Sequence, residues 1–292
     1  MELHLPPLAA ETIFNIGGLP ITNSYLNTTM ALVIFVVLAI LIQLGIKKYY
    51  DRNLAPKGFL NFFEWLVETM FGYLDQVTGD RKKSLKFLPI IGGFFLFILI
   101  ANWMGLLPGT GSVTITAMHN GEVEALPLFR PSNTDLNMTL AMAILAVISS
   151  HILGAATIGF FKYANRFIKL GDLWKAAISL NPVKILTAVI EFFVGFIEIF
   201  SEVAKMVSLS LRLYGNVFAG EVLLTVLASL MAYVVPLPFM GLELLVGLIQ
   251  AVVFSMLTLV YLNLATTDTH GHAEAGKGSA HVEAEEDQVP AV

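Results

Sequence analysis

Arg212 stands inside a largely apolar run that reaches from about position 182 to 231. An arginine at mid-bilayer costs from ~3 kcal/mol on insertion scales to ~10–17 kcal/mol in simulation. It cannot escape by losing its proton, because its pKa lies above ~12. Snorkelling relieves such a charge near a helix end, but about thirty mostly apolar residues precede Arg212 and about fourteen follow it. A guanidinium in that setting needs a partner, and an intramembrane charge marks a functional site by default.

The same run carries more polar groups at helical spacing. Glu191, Glu198, Lys205 and Arg212 recur every seven residues, and Glu202 and Asn216 each fall four from a neighbour in that set. Residues at i, i+4 and i+7 share a face, so these groups form one stripe. In lipid, a stripe of this kind must face a partner or a wet cavity. Glu221 lies nine residues past Arg212, ~13 Å further along the axis and roughly on the opposite side. Further on, Glu243 and Gln250 are again seven apart, and Tyr261 follows. Carboxylates and amides therefore approach from both sides of a permanent cation. Carboxylates can exchange protons near neutral pH when their environment tunes them, and the cation repels protons. The pattern suits two partial proton paths that do not join. The structural alternatives are hydrogen bonds and local pairs, such as Glu202 with Lys205.

Composition sets the frame. The 292 residues are 56% hydrophobic and only 13% charged, which describes a polytopic membrane protein. The absence of Cys excludes disulfides, thiolate zinc sites and cysteine nucleophiles. No Gly-rich phosphate loop ending in Lys-Ser/Thr is present, and no nucleic acid, metal or cofactor is expected; His270, His272 and His281 in the tail read as a solvated linker rather than a weak metal site. Residues 1–27 lack Lys and Arg and lack the basic start of a signal peptide, so they read as an external N-terminal segment.

The expected architecture is all-α, with about five membrane-crossing helices, one surface helix and a long tilted hairpin made by the last two. Each crossing must cover the ~30 Å hydrocarbon core at ~1.5 Å per residue. The spans read as 26–46, 87–107, 136–161, 182–235 and 239–264, inside a single membrane domain over 26–265. Across 57–77, Phe59, Phe63, Leu66, Met70, Leu74 and Val77 recur at helical spacing among Glu64, Glu68 and Asp75, which predicts an amphipathic helix closed by Gly79, lying on the membrane surface or, as the alternative, packed on the protein as a short soluble helix. Between 108 and 135 the chain reads as an exposed loop with Arg130 as its only strong cation, a short hairpin about Asn120-Gly121, and Thr134 or Asp135 capping the next helix. The run 182–235 would span ~80 Å as a helix, too long to stand upright, so it is expected to lie steeply inclined. Pro236-Leu237-Pro238 is read as the turn into the last span. His151 reads as a packed or hydrogen-bonded histidine. The segment 266–292 is polar and acidic, with His270, His272 and His281, and reads as a disordered tail.

Eight Lys/Arg lie in 47–86 and five in 162–184, against Arg130 alone on the opposite side. The positive-inside tendency puts both basic segments in the cytoplasm, the N-terminus outside and the tail inside.

Ser210-Leu211-Arg212-Leu213-Tyr214-Gly215-Asn216, followed by Ala219-Gly220-Glu221, resembles the signature of subunit a of F-type rotary ATP synthases. So do Ile100-Ala101-Asn102-Trp103-Met104-Gly105-Leu106-Leu107-Pro108-Gly109, Thr134-Asp135-Leu136-Asn137, Asn181-Pro182, and Gln250-Ala251 leading to Thr258-Leu259-Val260-Tyr261-Leu262. The resemblance covers most of residues 25–266. It implies a stator without catalytic chemistry or cofactor of its own, in a bacterial inner membrane, carrying protons past a ring of c subunits. Arg212 matches the family's essential arginine facing the ring carboxylate. Asn216, Glu221, Glu243 and Gln250 match the outer half-channel, and Glu198, Ser201 and Tyr261 match positions near the cytoplasmic one. Glu243 departs from members that carry His there. The surface helix near Lys57 matches the docking place of peripheral-stalk subunit b. The rival class is a self-contained proton- or cation-coupled secondary transporter, whose folds usually show internal repeats with paired broken helices; no such repeat is visible.

Overall fold

The computed structural model describes residues 6–7, 9–50, 57–107, 113–119, 122–167, 182–231 and 234–267. Its body is helical: α1 (Asn23–Tyr50), α2 (Phe59–Thr78), α3 (Arg81–Gly105), α4 (Leu136–Ile158), α5 (Phe160–Phe167), α6 (Pro182–Leu230) and α7 (Pro236–Thr266). Four of these, α1, α3, α4 and α7, are long and apolar enough to cross a membrane. The remaining long helix, α6, is set apart by its 49 residues and by the charges along it. At ~1.5 Å per residue it is ~73 Å long, more than twice the ~30 Å hydrocarbon core.

Local chemistry explains where the helices stop. Gly79 closes α2 in the left-handed region at φ 67, and its amide bonds the Asp75 carbonyl; that conformation suits a residue without Cβ. Asp80 caps α3 by accepting from the Lys82 amide, so Arg81, Lys82, Lys83 and Lys86 lie in the first turns of α3 rather than before it. Asp135, not Thr134, caps α4, accepting from the Asn137 amide at 2.9 Å; Thr134 belongs to a 3-10 turn, Ser132–Thr134. The third span ends at Ile158 instead of 161, because Gly159 turns the chain at φ 98 into the short α5. The last helix begins at Pro236 itself, since Pro fits the first helical turn, where its missing N–H costs nothing.

Two β-hairpins supplement the helices. Strands β1 (Thr12–Ile16) and β2 (Leu19–Thr22) pair antiparallel around Gly17-Gly18. Both glycines have positive φ, 58 and 88, as a tight two-residue hairpin turn demands. The sequence reading assigns no structure there, although Gly-Gly between short apolar runs is a hairpin signal. Strands β3 (Thr114–His119) and β4 (Glu122–Pro127) form the second hairpin, with His119 opposite Glu122; the expected turn at 120–121 lies outside the described residues.

The chain divides into two compact units. The first comprises 1–148 and 200–261. Its core joins Phe95 and Ile98 of α3, Met142, Ala143 and Ala146 of α4, Leu209, Leu213 and Val217 of α6, and Ala251 and Phe254 of α7. Leu66 and Met70 of α2 pack on this cluster, whereas Phe59, Phe62 and Trp65 of α2 stay exposed. Small residues allow the close approaches: a side chain on Gly45 of α1 would run into Leu60 of α2. In the second unit, comprising 149–199 and 262–292, His151 Nδ1 meets the Tyr163 hydroxyl at 2.7 Å, as expected of a hydrogen-bonded histidine. The tail from 268 onward, with its three histidines, lies outside the described residues, as do Lys169 and Lys175.

Candidate functional site

The first unit contains a cavity of about 750 Å³ whose walls include Glu11, Asn102, Arg130, Asn216, Glu221, Glu243 and Gln250. All four residues that the resemblance assigns to the outer half-channel therefore line one space. They come from two helices. Asn216 and Glu221 sit on α6, five residues apart, and Glu243 and Gln250 sit on α7, seven apart.

Contacts between the helices fix this geometry. The Asn216 Nδ2 donates to Gln250 Oε1 at 2.8 Å. Gly220 gives the Glu243 carboxylate its place, since a Cβ there would run into it. Asn102, nearly fully buried on α3, holds α7 in register: its Nδ2 donates to the Gly247 carbonyl at 3.0 Å, and its Oδ1 accepts from Asn133 Nδ2 at 2.6 Å. One residue on, Trp103 Nε1 donates to the Leu244 carbonyl at 3.1 Å. Thr139 of α4 and Ser210 of α6, both fully buried, pair their hydroxyls at 3.2 Å. Such bonds are individually worth ~1 kcal/mol net, but leaving a buried partner unmet costs ~1–3 kcal/mol, so they specify the helix register.

Arg130 is the residue that sequence reasoning misplaced. It reads as an exposed loop cation, yet its side chain is only 2% exposed. Its Nε donates to both oxygens of Glu221 at 3.2 and 3.3 Å, and its Nη2 reaches Oε2 at 3.1 Å. The guanidinium fork matches a carboxylate at two points, which no lysine does. Arg130 is the only Lys or Arg between 108 and 135, and Glu221 is an acid inside an apolar helix; that pairing of an isolated cation with a costly acid was the available signal.

Arg212 lies elsewhere. It is exposed on α6, does not line the cavity, and has no hydrogen bond or ion pair to a carboxylate among the described residues. Its charge is felt at Tyr261. The chain thus presents this guanidinium outward without an internal counter-ion among the described residues. Nearby, Lys205 pairs with Glu202 at 2.6 Å and stands 5.2 Å from the Tyr261 ring centre, so the local-pair alternative holds for those two. Glu198 and Ser201 lie outside the cavity, Ser201 exposed and Glu198 half-buried on α6.

Long apolar helices around a cavity lined by carboxylates, amides and a guanidinium, with a second guanidinium on an exposed helix face, define a polytopic helical membrane protein. Comparison narrows the class. A family model described as ATP synthase A chain matches residues 14–263. The chain is 32% identical to ATP synthase subunit a of Gloeobacter violaceus over 259 residues, covering 89% of this chain and 90% of that one. It is 29% identical to the subunit a of Moorella thermoacetica over 269 residues, 92% and 99% of the two chains, and 30% identical to that of Syntrophobacter fumaroxidans over 237 residues, 81% and 83%. The chain belongs to the ATP synthase A chain family, the stator subunit a of F-type ATP synthases, and is a multi-pass membrane protein of that complex.

Proposed function

We propose that this subunit supplies two proton half-channels to a rotating ring of c subunits, and that Arg212 separates them. The observation that carries the reading is the division of labour on α6. Asn216 and Glu221 join Glu243 and Gln250 in a shared cavity, while Arg212, one turn before Asn216, faces outward. The cavity is the outer half-channel. On the cytoplasmic side, Ser201 of α6 and Tyr261 of α7, and separately Glu198, are assigned to the second path, as the resemblance implies. A ring carboxylate must be neutral to face lipid, because a bare charge there is costly. Beside Arg212 it ionises and gives its proton to one side, then reloads from the other. One charge crossing 100 mV carries ~2.3 kcal/mol, and the fixed cation makes rotation the only way to collect it.

The N-terminus lies outside and the tail lies in the cytoplasm of a bacterial cell, as the cation distribution favours. The aromatic face of α2, with Phe59, Phe62 and Trp65 exposed, serves lipid and peripheral-stalk subunit b. Replacing Arg212 with Ala is expected to abolish ATP-driven proton pumping in inverted membrane vesicles while the complex still assembles. Full pumping by that variant defeats the assigned role.

A further inference from the structure

The Arg130 guanidinium does more than meet Glu221. Its Nη2 also donates to the Pro7 carbonyl at 2.7 Å, and its Nη1 to the Ala9 carbonyl at 3.1 Å. The backbone behind it is pinned, because its own carbonyl accepts from the buried Asn27 Nδ2 at 2.8 Å. The next residue, Pro131, packs where a side chain on Gly105 would have to go. One side chain thus ties the segment before β1, the loop before α4, and α6 together at the cavity wall. Pro6, Pro7 and Glu11 line the same space. Glu11 is anchored by Asn23 Nδ2 at 3.3 Å and lies close enough to Glu221 to interact with its charge. Three carboxylates, Glu11, Glu221 and Glu243, therefore share a cavity with one guanidinium.

We propose that Arg130 is a positioning residue of the outer proton path: its fork fixes both oxygens of Glu221, and its hold on Pro7 and Ala9 makes the N-terminal segment the frame through which protons reach that carboxylate. The inference rests on the reading of the cavity as the outer half-channel. A carboxylate that relays protons must stand at a set distance from both donor and acceptor, since proton transfer needs hydrogen-bond reach. A freely rotating Glu221 would meet neither for much of the time. A two-point fork holds it in one rotamer on the cavity wall that it shares with Glu243, itself set against Gly220. Lysine keeps the charge but supplies a single point, so it separates positioning from electrostatics.

The test is passive proton conductance of membranes stripped of the catalytic sector, with the complete membrane sector assembled. Arg130→Lys is expected to lower conductance about tenfold, with the ratio of this chain to subunit c unchanged in the extracted complex. In a Glu221→Asp background the carboxylate is drawn back from the fork, and adding Arg130→Lys is expected to change conductance less than twofold. Wild-type conductance in Arg130→Lys overturns the proposal. So does an equal tenfold drop in both backgrounds, or loss of the chain from the complex, since either makes Arg130 a structural staple alone. Glu221→Gln reports on the underlying reading by itself: unchanged conductance in that variant removes the outer half-channel from this cavity, whatever Arg130 does.

Discussion

Glu221 and Arg212 show how two charges on one helix come to opposite situations. Arg212 is on the exposed face of α6 and Glu221 points into the cavity, because nine residues at ~100° each turn the helix about half a revolution past whole turns. The acid has an internal partner, Arg130, and the cation has none among the described residues. This asymmetry has an energetic reading: a half-buried carboxylate is kept inside only if paired, and removing one member of a buried pair costs ~3–5 kcal/mol. Glu221→Gln keeps the shape and a hydrogen-bond acceptor for Arg130 but removes the carboxylate to which the proposed function assigns the relay. We expect it to slow proton passage at least tenfold, more than it lowers the yield of assembled complex, as read by vesicle acidification normalised to that yield; an assembled and unimpaired complex refutes the role.

Helices α6 and α7 are positioned by groups too small or too polar to look functional. Gly220 makes room for Glu243. Adding a methyl group there pushes the flexible end of Glu243 aside rather than the backbone. Gly220→Ala is therefore expected to cut ATP-driven pumping several-fold with normal assembly, and full pumping in that variant would mean the Glu243 carboxylate need not sit there. At the α2–α3 corner, the Ser84 hydroxyl and the Arg81 guanidinium hold the Asp75 carboxyl below the usual carboxylate range. A lowered folded-state pKa stabilises the corner above the unfolded value, and that contribution is lost as pH falls through the lowered folded-state pKa. Hydrogen exchange at the Gly79 amide, bonded to the Asp75 carbonyl, should quicken relative to neighbouring amides on acidification below ~4. Asp75→Asn should remove that dependence, and a variant that retains it would assign the effect elsewhere.

At the scale of the whole molecule, the chain is half of a machine. Its most costly group faces outward, and large apolar side chains such as Ile197, Phe200, Val207 and Leu211 are exposed along α6. On the proposed function, lipid and a rotor cover this surface. Orientation can be tested cleanly because the chain has no Cys. A single cysteine at Ala9 is expected to react with a membrane-impermeant thiol reagent added to the outside of intact cells, and one at Lys57 only after the membrane is opened. The reverse pattern would invert the orientation and, with it, the two proposed half-channels.

What residue order determined by itself is everything that depends on periodicity and on the expense of charge in hydrocarbon. The all-α membrane body, the extent of α1 to within a few residues, the amphipathic helix closed by Gly79, the excessive length of α6, and the singling out of Arg212 all follow from local rules. Helix ends drifted where a turn residue worked differently: Pro236 starts α7 instead of preceding it, and Gly159 cuts α4 short. Tertiary structure decided the long-range meetings. Arg130 reaches a carboxylate 91 positions away, and Asn102 bonds a carbonyl 145 positions away. Neither separation has a period, so neither is written in any window of the chain. Spacing places a residue on a face of its own element; only the packing of elements decides which other face it meets, and whether a loop cation ends in water or against an acid.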